Sequence, residues 1–383
     1  MKLFECQACS QLLYFENTRC ESCGRRLGFL SWTQDVTALE PEGEAWKALA
    51  EPDGSFRFCA NAEHDACNWL IPADSPDAYC MACRHNRIIP DLSLPENIGR
   101  WRRLEKAKHR LFYSLQKLRL PVATRAEHPR GLTFEFLADP DEPAPHAPHV
   151  LTGHDNGLIT INIAEADDAE RERRRHAMGE PYRTLLGHFR HEVGHYYWNV
   201  LIENDVSIAR FRQIFGDERQ DYGAALEAHY ANGPPGDWQN HFVSSYASAH
   251  PWEDWAETWT HYVHIVDTLE TASAFGLTVG PRISGGPELS AAIEFDPHVE
   301  PDLNRLIGAW LPLTFAVNSL NRSMGQPDLY PFVLAPNVIG KLHFVHERIQ
   351  REAGRAMRPE YDAEVLKAVV TGLRKRVAAP PRG

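Results

Sequence analysis

The cysteines are the strongest constraint on what this chain can fold into, because all eight lie between Cys6 and Cys83 of a 383-residue sequence. The N-terminal sequence MKLFECQACS lacks the apolar run of a signal peptide, so we expect a cytoplasmic protein whose thiols stay reduced. Metal ligation is then favoured over disulfide bonds. We predict a cysteine-rich unit over residues 1–95, a larger domain over residues 96–355, and a charged, partly disordered tail over residues 356–383.

The cysteines divide into two sets of four, which is the number of ligands in a closed tetrahedral zinc site. The first set consists of two CxxC pairs, whereas in the second set only the last pair is CxxC. Because four thiolates leave no open coordination position, both zinc ions would be structural. The alternatives are that some thiols are free or that the two sets interleave. The predicted ligands are Cys6, Cys9, Cys20 and Cys23 in the first site and Cys59, Cys67, Cys80 and Cys83 in the second.

The charge of the chain argues against nucleic-acid binding, which requires a basic surface. The formal net charge is −12, and residues 1–95 alone carry 8 basic against 14 acidic side chains, a balance of −6. This acidic unit is instead a candidate docking surface for a protein partner. The most apolar later stretch, LIGAWLPLTFAV from Leu306, is shorter than the roughly 20 residues that span a bilayer, so we expect no membrane association.

Hydrophobic periodicity predicts an α+β architecture, in which a small β-rich double zinc-ribbon unit precedes a mainly helical domain with a short sheet. The polar segment from Asp35 to Gly54 is expected to be a connector, and residues 139–149 an exposed loop. Strands are predicted from Leu132 and over residues 157–163, and helices from Ile98 to Leu118, from Tyr182, after Pro251 and over most of residues 301–350.

The sequence RHEVGHYYW lies within the helix predicted from Tyr182 and contains an HExxH motif. With 3.6 residues per turn, His191 and His195 project from the same face and can bind one zinc ion, while Glu192 lies beside them. A zinc ion with three protein ligands keeps a position for water, and the glutamate can accept the proton of that water. The alternative is a helix with two hydrogen-bonded core histidines.

A third zinc ligand has to come from another segment, because the residues after His195 do not match the metzincin pattern. The best candidates are Glu253 and Glu257, which share one face of the helix predicted after Pro251. One of these carboxylates can bind zinc while the other accepts a hydrogen bond from a ligating histidine. The remaining candidates are His250 and Asp254.

The order of these motifs, HExxH followed by a helix with ExxxE, resembles that of the gluzincin metallopeptidases. Tyr246, seven residues before Glu253, is similar to the tyrosine of the lethal-factor type of active site. The resemblance implies a zincin-like domain with one catalytic zinc. It assigns His191, His195 and Glu253 as zinc ligands, Glu192 as general base, Glu257 as the hydrogen-bond partner of a ligating histidine and Tyr246 as oxyanion donor.

Over almost its whole length the chain resembles a bacterial family of zinc-binding metallopeptidases with N-terminal zinc ribbons. The matching segments run from Cys6 to about Ile349 and include CESCGRRLGF, PYRTLLGHFRHEVGHYYW, EDWAETW and NSLNRSMG. This resemblance supports the fold more than the reaction. The two cysteine sets and the HExxH motif together predict three zinc ions, one catalytic and two structural, and a peptide or protein substrate. The 57 residues between His195 and Glu253 exceed the interval in thermolysin-like enzymes.

Three further residues are candidates for substrate binding. The resemblance to zincin-like folds implies that the strand at residues 157–163 is an edge strand that pairs with an extended peptide, with Thr160 and Asn162 at the cleft. Arg322 could bind a substrate carboxylate, with a salt bridge between elements as the alternative.

The predicted function is hydrolysis of peptide bonds by a zinc-dependent metallopeptidase. The alternative is a zinc-ribbon scaffold or adaptor with a peptidase-like domain that binds zinc but has weak or no activity. A glutamate and a tyrosine beside the predicted zinc favour the enzyme, because a purely structural site needs neither a base nor an oxyanion donor.

Overall fold

The computed structural model describes residues 1–139, 150–177, 184–282 and 289–356 of the chain. Its N-terminal part is β-rich, as predicted: β1 and β2 form an antiparallel hairpin, and β3 to β7 form a five-stranded antiparallel sheet in sequential order. These strands are β1 (Phe4–Glu5), β2 (Leu12–Leu13), β3 (Leu27–Leu30), β4 (Asp35–Glu42), β5 (Ala45–Ala48), β6 (Glu51–Phe58) and β7 (Leu70–Pro72).

The prediction of a connector from Asp35 to Gly54 is wrong, because this segment forms β4, β5 and the start of β6. The polar composition of this segment obscured its strands. Val36 and Ala38 are fully buried, but the acidic side chains at the end of β4 are exposed. The turn between β4 and β5 contains Gly43, whose positive φ of 64° favours glycine.

The remaining strands form a mixed sheet and a small hairpin. Strands β8 to β11 are arranged in the order β10-β11-β9-β8, and β12 pairs with β13. Strand β8 belongs to the cysteine-rich unit by sequence, yet it pairs in parallel with β9 of the larger domain. These strands are β8 (Asn86–Ile88), β9 (Thr133–Leu137), β10 (Gly153–Asp155), β11 (Leu158–Asn162), β12 (Thr278–Val279) and β13 (Ala291–Ala292).

The larger domain is mainly helical, as its periodicity predicted. Two helices occupy most of residues 301–350, and the first of them contains Pro312. The helices are α1 (Pro95–Lys117), α2 (Asp168–Ala177), α3 (Leu185–Leu201), α4 (Ile208–Phe215), α5 (Tyr222–Asn232), α6 (Pro251–Ala274), α7 (Leu303–Ser323) and α8 (Pro336–Ala356).

The hydrophobic core is continuous between the cysteine-rich unit and the helical domain. Helix α1 lies at the junction, where Tyr113 packs edge-on against Phe15 with ring centroids 5.6 Å apart. On the same helix, the ring of His109 lies 5.1 Å from that of Trp69. The apolar face of α1 is therefore covered by residues of the cysteine-rich unit.

The expectation that the strand over residues 157–163 lies at a sheet edge is wrong. Strand β11 is an inner strand, because β9 pairs with one of its sides and β10 with the other. The edge strand beside β11 is β10, which was not predicted from the sequence. Most of the predicted loop at residues 139–149 and of the predicted tail at residues 356–383 lies outside the described residues.

Candidate active site and metal centres

Helix α3 carries the HExxH motif, and its start is fixed by Thr184, whose hydroxyl accepts a hydrogen bond from the Gly187 N–H at 3.0 Å. His191 and His195 lie one turn apart on the same face, and their Nε2 atoms are 3.2 Å apart. This separation is close to the roughly 3.3 Å expected for two imidazole nitrogens bound to one tetrahedral zinc ion.

Helix α6 lies against α3 and begins at Pro251. The preceding residue, His250, is its N-cap, because His250 Nδ1 accepts a hydrogen bond from the Trp252 N–H. The two helices approach closely at Gly194, where an added Cβ would lie only 3.1 Å from the Ala256 Cα. Trp255 Nε1 donates a hydrogen bond to the Gly194 carbonyl at 2.8 Å, which fixes this contact.

The packing of α3 on α6 brings Glu253 to the two histidines of the motif. Its Oε2 atom lies 3.0 Å from His191 Nε2 and 3.6 Å from His195 Nε2. This oxygen is buried and accepts no hydrogen bond among the described residues, although buried carboxylate oxygens are usually satisfied. Three ligand atoms that converge in this way fit a zinc ion with an open fourth position.

The electrostatics of the cluster favour a bound cation. Burial alone would raise the pKa of Glu253, but the positive charges of His195 and His191 hold it well below its ordinary value. Burial likewise lowers the pKa of His191, but Glu253 and Glu257 outweigh this effect and raise it. The cluster therefore stabilises positive charge between its imidazoles and carboxylates, as a divalent cation would supply.

Glu257 lies one helical turn after Glu253 and contacts the opposite side of the His191 ring. Its Oε1 atom is 2.8 Å from His191 Nδ1, and its Oε2 atom accepts a hydrogen bond from the Ser244 hydroxyl at 2.6 Å. Since a carboxylate can only accept, the proton of His191 lies on Nδ1, and Nε2 can bind a metal. This is the contact that the sequence analysis predicted for Glu257.

A cleft of about 410 Å³ opens over this cluster and is lined by Glu192 and Tyr246 as well as by strand β10. The Tyr246 ring centroid lies 6.0 Å from that of His191. Burial and then the charge of Glu253 raise the pKa of Tyr246, so its hydroxyl keeps its proton at neutral pH and remains a hydrogen-bond donor. The structure thus brings Glu192 and Tyr246 to the same cleft as the three predicted zinc ligands.

Tyr222, the first residue of α5, also belongs to the site, although it was not predicted from the sequence. Its hydroxyl donates a hydrogen bond of 2.6 Å to Glu253 Oε1, the oxygen that faces away from the histidines. Helix α5 contains no buried residue and only a weak apolar pattern, so nothing in the sequence marked it. His154 of β10 was also missed; its ring stacks on that of His195 at 6.1 Å.

A second cavity of about 460 Å³ adjoins the cleft and shares His191, Glu192 and Tyr246 with it. Part of its wall is apolar, formed by side chains of α5 and of the segment before α8, namely Leu226, Tyr230 and Phe332.

The other histidines and carboxylates considered as ligands have different partners. His250 caps α6, and Asp254 is fully buried with Lys341 Nζ 2.6 Å away. Burial raises the pKa of Asp254 to about 7, even though Lys341 opposes this shift. His188, which the sequence analysis left out, pairs with Glu165.

The three residues predicted to bind substrate do not lie in the cleft. Asn162 is fully buried and donates hydrogen bonds to Asp139 and to the Val150 carbonyl, and Thr160 belongs to the same inner strand. Arg322 forms a two-point ion pair with Asp328 at 2.6 Å, the salt bridge that the sequence analysis gave as the alternative.

The cysteines form the two predicted clusters, each with its four sulfur atoms within 4.8 Å of one another. In the first, the sulfur of Cys6 lies 3.8 Å from that of Cys23, and that of Cys9 lies 3.6 Å from that of Cys20. In the second, the Cys67 and Cys80 sulfurs are 3.8 Å apart. Zn–S bonds of about 2.3 Å imply sulfur separations of about 3.8 Å, so both clusters fit zinc.

Comparison with known proteins agrees with these clusters. A family profile described as "Putative zinc-binding metallo-peptidase" matches residues 97–348, and a zinc-ribbon domain profile matches residues 3–94. The chain belongs to this metallopeptidase family. Like the two cysteine clusters, the family descriptions support zinc binding.

Relatives of this protein occur in mycobacteria. The chain is 41% identical over 355 residues to an uncharacterised protein of Mycobacterium tuberculosis and to one of Mycobacterium bovis, with 92% of this chain and 96% of theirs covered. No solved structure gives a significant match. Within the described part of the chain, every helix is too short or too polar to cross a membrane.

Proposed function

We propose that this protein is a zinc-dependent metallopeptidase of the gluzincin type, with a zincin-like domain that hydrolyses peptide bonds. The observation that carries the proposal is the buried Glu253 oxygen, which has no hydrogen-bond donor and lies 3.0 Å and 3.6 Å from the Nε2 atoms of His191 and His195. These three residues would hold the catalytic zinc, and Glu257 would orient His191 through its Nδ1 proton.

Bound zinc would polarise the attacking water and the substrate carbonyl. Glu192 accepts the proton of the attacking water and transfers it to the leaving amine. The Tyr246 hydroxyl, protonated at neutral pH, donates a hydrogen bond to the oxyanion that develops on the carbonyl oxygen. The bond that breaks is the C–N bond of the substrate amide, and the bond that forms joins the water oxygen to the carbonyl carbon.

Strand β10 supports a peptide as the substrate. It is an edge strand of its sheet and lines the cleft, so its outer backbone groups can pair with an extended peptide. The adjoining cavity of about 460 Å³ can receive a side chain next to the scissile bond. Docking of a protein partner on the acidic cysteine-rich unit remains a prediction.

The test replaces Glu192 by Gln in the full-length zinc-loaded protein and measures cleavage of a diverse peptide library by mass spectrometry. We expect Glu192→Gln to lower the rate by at least about 10²-fold with zinc content unchanged, because only the general base is lost. Glu347→Gln is the control, since this glutamate pairs with Arg210 on the surface and should leave the rate unchanged.

Two results would contradict the proposal. If the wild type binds only the zinc ions of the cysteine clusters, the cluster of His191, His195 and Glu253 is not a zinc site. If the wild type binds a third zinc ion but cleaves no peptide of the library, the scaffold function is favoured instead.

A further inference from the structure

The second cysteine cluster has a fifth candidate donor, His109 of helix α1. Its side chain is buried, and its Nε2 atom lies 3.3 Å from Cys67 Sγ, 3.5 Å from Cys83 Sγ and 4.0 Å from Cys80 Sγ. His109 lies outside residues 3–94, which match the zinc-ribbon profile, so that match does not include it.

These distances are those of ligands around one tetrahedral zinc ion. Zn–S bonds of about 2.3 Å and Zn–N bonds of about 2.0–2.1 Å imply S···N separations of about 3.5 Å and S···S separations of about 3.8 Å. The three separations from His109 scatter around the first value, and the 3.8 Å between the Cys67 and Cys80 sulfurs matches the second. These separations allow His109 to complete a four-ligand site with Cys67, Cys80 and Cys83.

The other nitrogen of the His109 ring fixes its tautomer. Nδ1 lies 2.6 Å from the backbone carbonyl oxygen of Glu105, and a carbonyl can only accept a hydrogen bond. Nδ1 thus carries a proton, and in the neutral imidazole the lone pair of Nε2 is directed at the sulfurs. A histidine that binds a metal through one nitrogen and donates the other N–H to a carbonyl is the usual arrangement at zinc sites.

We propose that His109 is a ligand of the second zinc centre and competes with Cys59 for the fourth coordination position. Cys67, Cys80 and Cys83 would hold the other three positions. Cys59 accepts the backbone N–H of Cys80 at 3.3 Å, so its sulfur has a hydrogen-bond donor when zinc is held by His109. A ligand set of three thiolates and one imidazole also places less negative charge beside the buried carboxylate of Glu105 than four thiolates do.

The zinc would then join the two parts of the chain directly, because His109 belongs to α1 of the metallopeptidase domain while the three cysteines precede that domain.

The experiment measures zinc per chain by mass spectrometry in full-length variants that have been equilibrated with a weak chelator. Cys59→Ala and His109→Ala should each keep the wild-type zinc content, since the remaining donor fills the position. The double variant Cys59→Ala/His109→Ala should lose one zinc ion, as should Cys67→Ala, whose position has no substitute. Cys20→Ala is the control at the first centre, where no fifth donor lies near the sulfurs among the described residues.

The proposal is overturned if Cys59→Ala loses a zinc ion as Cys67→Ala does, or if the double variant keeps it. A further variant, Cys59→Ala/His109→Gln, separates ligation from hydrogen bonding, because glutamine retains an N–H donor but is a poor zinc ligand. It should lose the zinc ion, and its retention would mean that His109 only donates to the thiolates. In cadmium-loaded Cys59→Ala, the ¹¹³Cd resonance of the second centre should lie upfield of the all-sulfur first centre, and coincident resonances would contradict ligation by nitrogen.

Discussion

Two tyrosine hydroxyls lie beside the predicted catalytic zinc, and the structure gives them different partners. Tyr222 donates to the outer oxygen of Glu253, whereas Tyr246 lines the cleft over His191. We infer that Tyr222 holds the carboxylate so that one oxygen binds the metal, and that Tyr246 acts on the substrate. A phenylalanine at either position removes the hydroxyl and preserves the ring.

The first prediction separates these two roles. Tyr222→Phe should lower the affinity for the catalytic zinc by about 10–100-fold, because outer partners of metal ligands have effects of this size, and excess zinc should restore its kcat. Tyr246→Phe should keep its zinc and lose about 10²–10³-fold in kcat with little change in KM. Zinc titrations and steady-state kinetics measure both effects. Loss of zinc from Tyr246→Phe, or a kcat of Tyr222→Phe that excess zinc does not restore, would contradict the assignment.

At the scale of elements, the site depends on the distance between helices α3 and α6. Gly194 lies inside the HExxH motif at a point where the two helices are close, since an added Cβ would be 3.1 Å from Ala256 and from the Trp259 ring. The second prediction is that Gly194→Ala destabilises the protein by about 1–3 kcal/mol through overpacking and weakens zinc binding by displacing Glu253. Urea unfolding and zinc titration measure the two effects.

The matched control is Gly340→Ala on helix α8, where nothing lies within 4 Å of the added Cβ. This substitution should be neutral or stabilise the protein by up to about 1 kcal/mol, because alanine is the better helix former. If both variants behave alike, the spacing of α3 and α6 does not depend on Gly194.

These helices also explain how much the sequence could predict. The pairs His191/His195 and Glu253/Glu257 each lie one helical turn apart, and this spacing alone placed each pair on one face. The packing of α3 against α6 is a tertiary contact between segments that are separated by 57 residues. Only the resemblance to a family predicted this contact. Strand β10 is three residues long and α5 has almost no apolar pattern, so neither left a periodic signal.

A second link between elements is Asp267 of α6, which joins three helices. It pairs with Arg190 of α3, accepts the Ser114 hydroxyl of α1 at 2.5 Å and contacts His298 at 3.2 Å. Burial would raise its pKa, but Arg190 and His298 outweigh this effect and hold the pKa of Asp267 below its ordinary value. The depressed pKa contributes stability above the unfolded-state value of about 3.9, and this contribution is lost as the pH falls.

The third prediction follows from the lowered pKa of Asp267. Asp267→Asn should cost about 3–5 kcal/mol at neutral pH, because it removes the carboxylate that neutralises the buried charge of Arg190. Between about pH 5 and pH 2 the stability of the wild type should fall more steeply than that of the variant. Chemical unfolding at a series of pH values measures both, with Asp328→Asn, at an exposed ion pair, as the control. Parallel pH profiles for wild type and Asp267→Asn would contradict this explanation.

At the scale of the whole molecule, the cysteine-rich unit and the metallopeptidase domain share one core. Trp101 and Tyr113 of α1 are fully buried, and residues of the cysteine-rich unit cover them: the His64 ring lies 5.7 Å from Trp101, and Phe15 lies 5.6 Å from Tyr113. The sequence divides the chain into two units by cysteine content, but cysteine spacing carries no information about how such units pack. The apolar face of α1 indicated that this helix is packed against other segments, but the pattern could not identify those segments.

The fourth prediction concerns the chain without its first 94 residues. This piece keeps the whole match to the metallopeptidase family at residues 97–348, yet it loses strand β8 from its sheet and the cover of α1. An exposed apolar helix face of this kind favours aggregation. Its exposure also costs stability, at about 25 cal/mol for each Å² of apolar surface that is no longer buried. We therefore expect the piece to be poorly soluble and to lack a cooperative thermal transition, measured by circular dichroism and light scattering.

Adding the separately produced residues 1–94 with zinc should improve its solubility. A soluble piece that unfolds cooperatively at the wild-type temperature would mean that the metallopeptidase domain folds independently and that the shared core contributes little.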